Sequence, residues 1–69
     1  MFLYSLDGDA LFGPFINEVD VSLAVVEKLK TMTDVKVVAI FDDDIKNEVK
    51  YNVGRSTEDD RTIITLTEV

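Results

Sequence analysis

Val35-Lys36-Val37-Val38-Ala39-Ile40-Phe41-Asp42-Asp43-Asp44 is the stretch whose reading decides the fold. Apart from Lys36, its first seven residues are apolar and mostly β-branched, and three carboxylates follow at once. A short run of this kind reads as a strand buried on both faces, or nearly so. The carboxylates cannot follow it inside, because an unpaired buried charge costs several kcal/mol or more. They belong to a turn in water at the strand's end. The most hydrophobic segment therefore delivers the densest charge to the surface.

On the C-terminal side of this strand, Ile45–Val53 alternates. Val49, Tyr51 and Val53 point one way, and Lys46, Glu48, Lys50 and Asn52 point the other. One face is dry and one is wet, as in an antiparallel partner strand. Gly54–Asp60 reads as a polar loop holding Glu58, Asp59 and Asp60. Arg61–Val69 reads as a last strand, with Ile63, Ile64 and Leu66 amid Thr62, Thr65 and Thr67.

On the N-terminal side, Asn17–Met32 reads as the one helix. Asn17 is a suitable N-cap, and Glu18 and Asp20 in the first turn suit the helix dipole, as do Lys28 and Lys30 near the other end. Val21, Val25, Leu29 and Met32 fall at helical spacing with Val26 beside them. Before the helix, Phe2, Tyr4 and Leu6 share one face of a strand over Met1–Leu6. Asp7-Gly8-Asp9 is a hairpin signal, because a tight primed turn needs the positive φ that glycine adopts freely. Ala10–Ile16 is the returning strand, and Pro14, which donates no backbone hydrogen bond, makes it an edge strand. The order is β-β-α-β-β-β. The expected fold is α+β, an antiparallel sheet of four to five strands with one helix packed on one face. Phe2, Phe41 and Tyr51 fall on inward faces, whereas Phe12 and Phe15 flank Gly13-Pro14 and are either exposed contacts or a cap on the sheet's open end.

The chain has 69 residues, one domain's worth, with no Cys, His or Trp. Disulfides and thiolate metal sites are excluded, and the usual general base near neutral pH is missing. A single core of this size supplies only about 3–5 kcal/mol. A homodimer, which adds buried area, is expected. No basic region precedes an apolar stretch, and no apolar run approaches the roughly 20 residues of a membrane span. A cytoplasmic protein is the expectation.

Fourteen acidic residues against seven basic ones give a net charge of −7. Phosphates and anionic lipids would repel such a chain, so neither direct nucleic-acid binding nor membrane binding is expected. The charge serves either solubility or steering toward a basic partner. The acids gather as Asp7 with Asp9, Glu18 with Asp20, Asp42 with Asp43 and Asp44, and Glu58 with Asp59 and Asp60. In a meander the last two groups lie at opposite ends of the sheet, so they form a long negative edge rather than one tight site. Asp7-Gly8-Asp9 and Asp42–Asp44 offer oxygen ligands, but no Gly and terminal Glu follow Asp42 at calcium-loop offsets. No metal or cofactor is expected. Ser5, Ser22 and Ser56 have no His partner, the glycines are isolated, and every acid has a polar context, so an enzyme is not expected.

Two functional readings remain. In the first, the acids stand in for DNA phosphates, and the chain blocks the nucleic-acid site of a basic DNA-binding protein. Asp42, Asp43, Asp44, Glu58, Asp59 and Asp60 supply the charge, with Asp7, Asp9, Glu18 and Asp20 as further candidates. In the second, the chain is a small assembly module whose acids only confer solubility. In size, charge and element order the chain resembles the small acidic proteins with which phages take over host machinery, among them inhibitors of the histone-like nucleoid protein HU. That resemblance implies an inhibitor of a basic host protein with acidic loops and edges as its contact. The lysines on Ile45–Val53 imply that their face is turned away from the partner.

Overall fold

A computed structural model describes all 69 residues. Strand β1 covers Phe2–Leu6, β2 Phe12–Phe15, β3 Val37–Asp42, β4 Asn47–Glu58 and β5 Arg61–Glu68, with helix α1 over Glu18–Thr31. The five strands form one antiparallel sheet in the order β2-β1-β3-β4-β5, so the apolar run is its middle strand. The fold is α+β, with the helix on one face.

Local chemistry explains the boundaries. Asn17 caps α1, its side-chain oxygen accepting the Asp20 N–H at 2.9 Å. The turn between β1 and β2 is closed by the Asp9 N–H donating to the Leu6 carbonyl, and Asp7 and Gly8 both have positive φ, as a primed turn requires. Strand β2 is shorter than Ala10–Ile16 and lies at the sheet edge, as Pro14 demands. Strand β4 starts at Asn47 rather than Ile45, because Asp43–Lys46 make the turn and Lys46 itself is left-handed.

The polar loop expected over Gly54–Asp60 is instead mostly strand. Strand β4 continues to Glu58, which pairs with Arg61, and only Asp59 and Asp60 turn, both with positive φ. A two-residue turn of that handedness matches the twist of the flanking strands. Asn52 is the last β4 residue opposite β3, so the rest of β4 pairs with β5 alone as a two-stranded ribbon. This ribbon stretches the molecule to 39 × 20 × 19 Å.

The core lies between sheet and helix: Tyr4, Leu6, Val21, Val25, Leu29, Val35 and Val38, with Ile40, Val53, Ile64 and Leu66 packed around it. Met32 ends the helix and is exposed, because the chain turns away there. The middle strand is covered on one side only. Val38 is fully buried under the helix, but Val37, Ala39 and Phe41 face the other way and are half-buried. Phe41 therefore does not point inward, whereas Phe2 packs on the core and Tyr51 lies on the helix side. Phe12 and Phe15 stack on Tyr4, with ring centroids 5.1 and 5.9 Å away, and so cap the core's open end.

Candidate functional site

The ten candidate carboxylates fall into three separate patches. At one end of the molecule are the helix start, with Glu18 and Asp20, and the turn after β3, with Asp42, Asp43 and Asp44. At the other end, Asp7 and Asp9 occupy the β1–β2 turn, and Glu58, Asp59 and Asp60 form the ribbon tip farther out. One continuous acidic surface does not exist.

Each patch has its own internal accounts. Asp42 ends β3 rather than entering the turn, and its Oδ1 accepts the Asp44 N–H at 3.0 Å. Asp43 pairs with Lys46 at 2.8 Å, and Asp44 with the Met1 amino group at 2.8 Å. The Lys46 hydrogen bond holds the Asp43 carboxyl below its usual range and raises the Lys46 ammonium in turn. The Met1 amino group is raised chiefly by its hydrogen bond to Asp44. Two of the three carboxylates at this end of β3 are thus partly neutralised inside the molecule.

Asp7 is a structural residue. Its Oδ1 accepts the N–H groups of Lys36 at 3.1 Å and Val37 at 3.0 Å, and its own N–H donates to the Val37 carbonyl at 2.8 Å. It ties the β1–β2 turn to the start of β3. Asp9 is free of these bonds and, with Leu11, rims a shallow concavity of about 530 Å³ floored by Val37 and Ala39. Glu58 is a strand residue opposite Arg61, which dilutes the charge of the ribbon tip.

The helix crosses the sheet toward the ribbon, and this leaves one corner of the helix side open. There Glu18 and Asp42 come together at a recess of about 130 Å³ whose other walls are Phe2, Ile40, Ile45, Asn47, Val49 and Tyr51. Neither carboxylate has a cation within 4 Å, since the ion pairs of the molecule involve Asp43, Asp44 and Glu48 only. Acid groups from two distant parts of the chain thus share a socket with apolar and aromatic walls. The alternation of β4 contains Val49 and Tyr51, but their meeting with Glu18 depends on the crossing angle of the helix, which no local pattern encodes.

The sequence pattern also passed over two further features. Val19 and Leu23 are 67% and 62% exposed, apolar positions on the side of the helix turned away from the core, and Ile16, just before the cap, is 82% exposed. Arg55, read as part of a loop, lies in β4 and reaches back under the helix end, where it donates to the Met32 carbonyl at 2.7 Å and the Val35 carbonyl at 2.9 Å.

No three carboxylates converge closely enough to hold a metal ion. No helix is long and apolar enough to cross a membrane. No family model matches the chain, and neither the curated proteins nor the solved structures compared with it include a match.

Proposed function

We propose that this chain is a non-enzymatic, acidic protein-binding domain that occupies the nucleic-acid-binding surface of a basic protein and keeps nucleic acid off it. The observation that carries this reading is the socket shared by Glu18 and Asp42. A Lys or Arg side chain has an apolar stem and a charged head. The stem suits walls of Ile40, Ile45 and Val49, the head suits two unpaired carboxylates, and the rings of Phe2 and Tyr51 favour a cation nearby. Asp43 and Asp44 flank the socket and add to the field that steers a basic surface toward it.

Charge density bounds how far the likeness to DNA extends. Duplex DNA carries one charge per roughly 1.7 Å of axis. A net −7 along 39 Å is one per about 5.6 Å, roughly a third of that density. The domain therefore stands in for a few phosphates at one place rather than for a length of duplex. On this reading it works in the cytoplasm, where its partner meets nucleic acid.

A competition assay tests the proposal. Labelled duplex DNA is bound to a histone-like nucleoid protein, and this chain is titrated in at 50 and 200 mM salt. Displacement that weakens with salt is expected, and Glu18→Gln with Asp42→Asn should weaken it by about tenfold or more. Asn at position 42 still accepts the Asp44 N–H, so the turn is retained. Displacement indifferent to both salt and the double substitution, or none against a panel of basic DNA-binding proteins, would leave the acids as solubility groups on an assembly module.

A further inference from the structure

The sheet has two edges, and only one of them is closed. Strand β2 has four residues, an irregular register against β1, and Pro14, which offers no donor. Strand β5 is the other edge, with eight residues, no proline and an unbroken register from Arg61 to Glu68. The Val69 N–H donates to the Lys50 carbonyl at 3.0 Å, which sets the parity of the ladder. The odd-numbered residues of β5 bond inward to β4, so Thr62, Ile64, Leu66 and Glu68 direct their N–H and C=O groups outward. No backbone group of the molecule bonds to them. Charge differs between the two ends of this edge. At its start, Lys30 of the helix, Arg61 and Thr62 line a hollow of about 330 Å³ with no carboxylate in its walls. Neither cation has an ion pair, because the three in the molecule use the Met1 amino group, Lys46 and Lys50. Even Glu58, opposite Arg61 in register, stays more than 4 Å from it. At the far end Glu68 is unpaired as well.

We propose that the β5 edge takes up an extended segment of another protein as a sixth strand of the sheet, antiparallel to β5, with a cation at the segment's N-terminal end and a carboxylate at its C-terminal end. An unblunted edge of this length is a template for a further strand. Antiparallel pairing is the more stable per residue, and it sets the segment's first residue beside Glu68 and its last beside Arg61. The cation then meets Glu68, and the carboxylate meets Lys30 and Arg61 at the hollow. Backbone bonds to Thr62, Ile64, Leu66 and Glu68 supply affinity. Alternate side chains of the segment fall on the helix side, where apolar ones extend the row of Ile64 and Leu66 packed around the core. A second copy of this chain fits the edge less well. Pairing two β5 edges would set each ribbon tip, with Glu58, Asp59 and Asp60, beside the other copy's Glu68 and bring two net charges of −7 together. A short segment of mixed charge brings neither repulsion.

No residue of β5 lines the Glu18–Asp42 socket, so this inference does not rest on the proposed function. The test adds capped peptides of the length of β5 to the full chain and follows amide exchange by NMR. One peptide, Lys-Thr-Val-Thr-Val-Thr-Val-Glu, carries its charges as antiparallel docking requires. The other, Glu-Thr-Val-Thr-Val-Thr-Val-Lys, has them exchanged. The first is expected to bind with a Kd below about 1 mM. It should slow exchange of the Thr62, Ile64, Leu66 and Glu68 amides, while those of Ile63, Thr65 and Thr67, bonded to β4, hold steady. The second should bind about tenfold more weakly. Thr62→Pro deletes one outward N–H without touching the β4 ladder and should weaken the first peptide by about tenfold or more. Circular dichroism checks that the variant is folded. If it is not, Lys30→Gln with Arg61→Gln, both exposed, carries the test and should weaken the first peptide by about tenfold. No binding of either peptide at about 1 mM would overturn the inference. So would a preference for the exchanged peptide, affinity indifferent to these substitutions, or protection of β2 amides in place of the four on β5. Slower exchange of those four amides as the chain alone is concentrated would also overturn it, because a second copy would then hold the edge.

Discussion

Replacing Arg55 by Met removes a contact that joins the ribbon to the end of the helix. The guanidinium donates two charge-assisted hydrogen bonds, to the carbonyls of Met32 and Val35. Hydrogen bonds to charged groups contribute about 1.5–3 kcal/mol each. Part of that is already offset, because the buried Nε of Arg55 has no partner, and an unsatisfied buried donor costs about 1–3 kcal/mol. Met keeps the apolar stem. In the variant, water can reach the carbonyl of exposed Met32 but not readily that of Val35, which is 4% exposed. The balance is a loss of about 2 kcal/mol, nearly half of what a single core of this size supplies. It corresponds to a Tm lower by about 8–16 °C. Urea unfolding followed by far-UV circular dichroism, with parent and variant at one protein concentration, measures it. Arg55→Lys, which can serve only one carbonyl well, should fall between them. A loss below about 0.5 kcal/mol for Arg55→Met would refute the reasoning and mean that water caps the helix end equally well.

Substitutions at four other positions and one titration follow from the same structure. Asp7→Ala should cost about 1–3 kcal/mol by stranding the N–H groups of Lys36 and Val37, while Asp7→Asn, which retains the accepting oxygen and tolerates positive φ, should cost little; urea midpoints separate them. Asp59→Asn with Asp60→Gly should stabilise the ribbon by about 1 kcal/mol, since both positions are left-handed, and a lower Tm for the pair would contradict the turn geometry. Gly13→Ala should destabilise strongly: its φ is +137°, and an added Cβ would lie 3.0 Å from the Phe2 carbonyl oxygen and 3.1 Å from a Leu3 methyl. Burial raises the Tyr4 phenol above its ordinary value of 10.0. The folded state then holds that proton after the unfolded chain has released it. Tyr4 therefore contributes full stability below pH 10, and this is lost as the pH rises through its folded value. In a Tyr51→Phe background, where Tyr4 is the one phenol left, alkaline unfolding should track the phenolate absorbance, and adding Tyr4→Phe should shift its onset upward.

The elements were legible wherever one local rule acted alone. Asn17, Glu18, Asp20, Lys28 and Lys30 mark the helix by capping and dipole, and Pro14 marks the edge strand by its missing donor. The ribbon was not legible, because Gly54, Ser56 and Thr57 read as loop composition, and the turn that pairs them with Thr65, Ile63 and Thr62 is Asp59-Asp60, which holds positive φ without the glycine that usually signals it. The face of Phe41 is not legible either, because a continuous apolar run carries no alternation from which to choose a side. The acids were legible as a composition but not as a site. What a carboxylate can do depends on its neighbours: Asp7 on Val37, Asp44 on Met1, and Glu18 on Asp42.

Salt should weaken capture of a basic partner at the Glu18–Asp42 end, and charge arithmetic says which part of the capture it removes. A unit positive charge about 20 Å from a net −7 gains roughly 1.5 kcal/mol in unscreened water. At 10 mM salt, with a Debye length of about 30 Å, roughly half of that remains. At 150 mM, with a length of about 8 Å, it falls to about 0.1 kcal/mol. Steering by the net charge is then nearly gone, and affinity rests on groups that touch the partner at the socket walls. Asp59→Asn with Asp60→Asn, far from the socket, should therefore slow association at 10 mM salt and change little at 150 mM. Glu18→Gln with Asp42→Asn should weaken binding in both conditions, chiefly by faster dissociation. Stopped-flow association and dissociation rates at the two salt concentrations separate the effects, and equal losses for the two pairs at 150 mM would mean that the socket is not the contact.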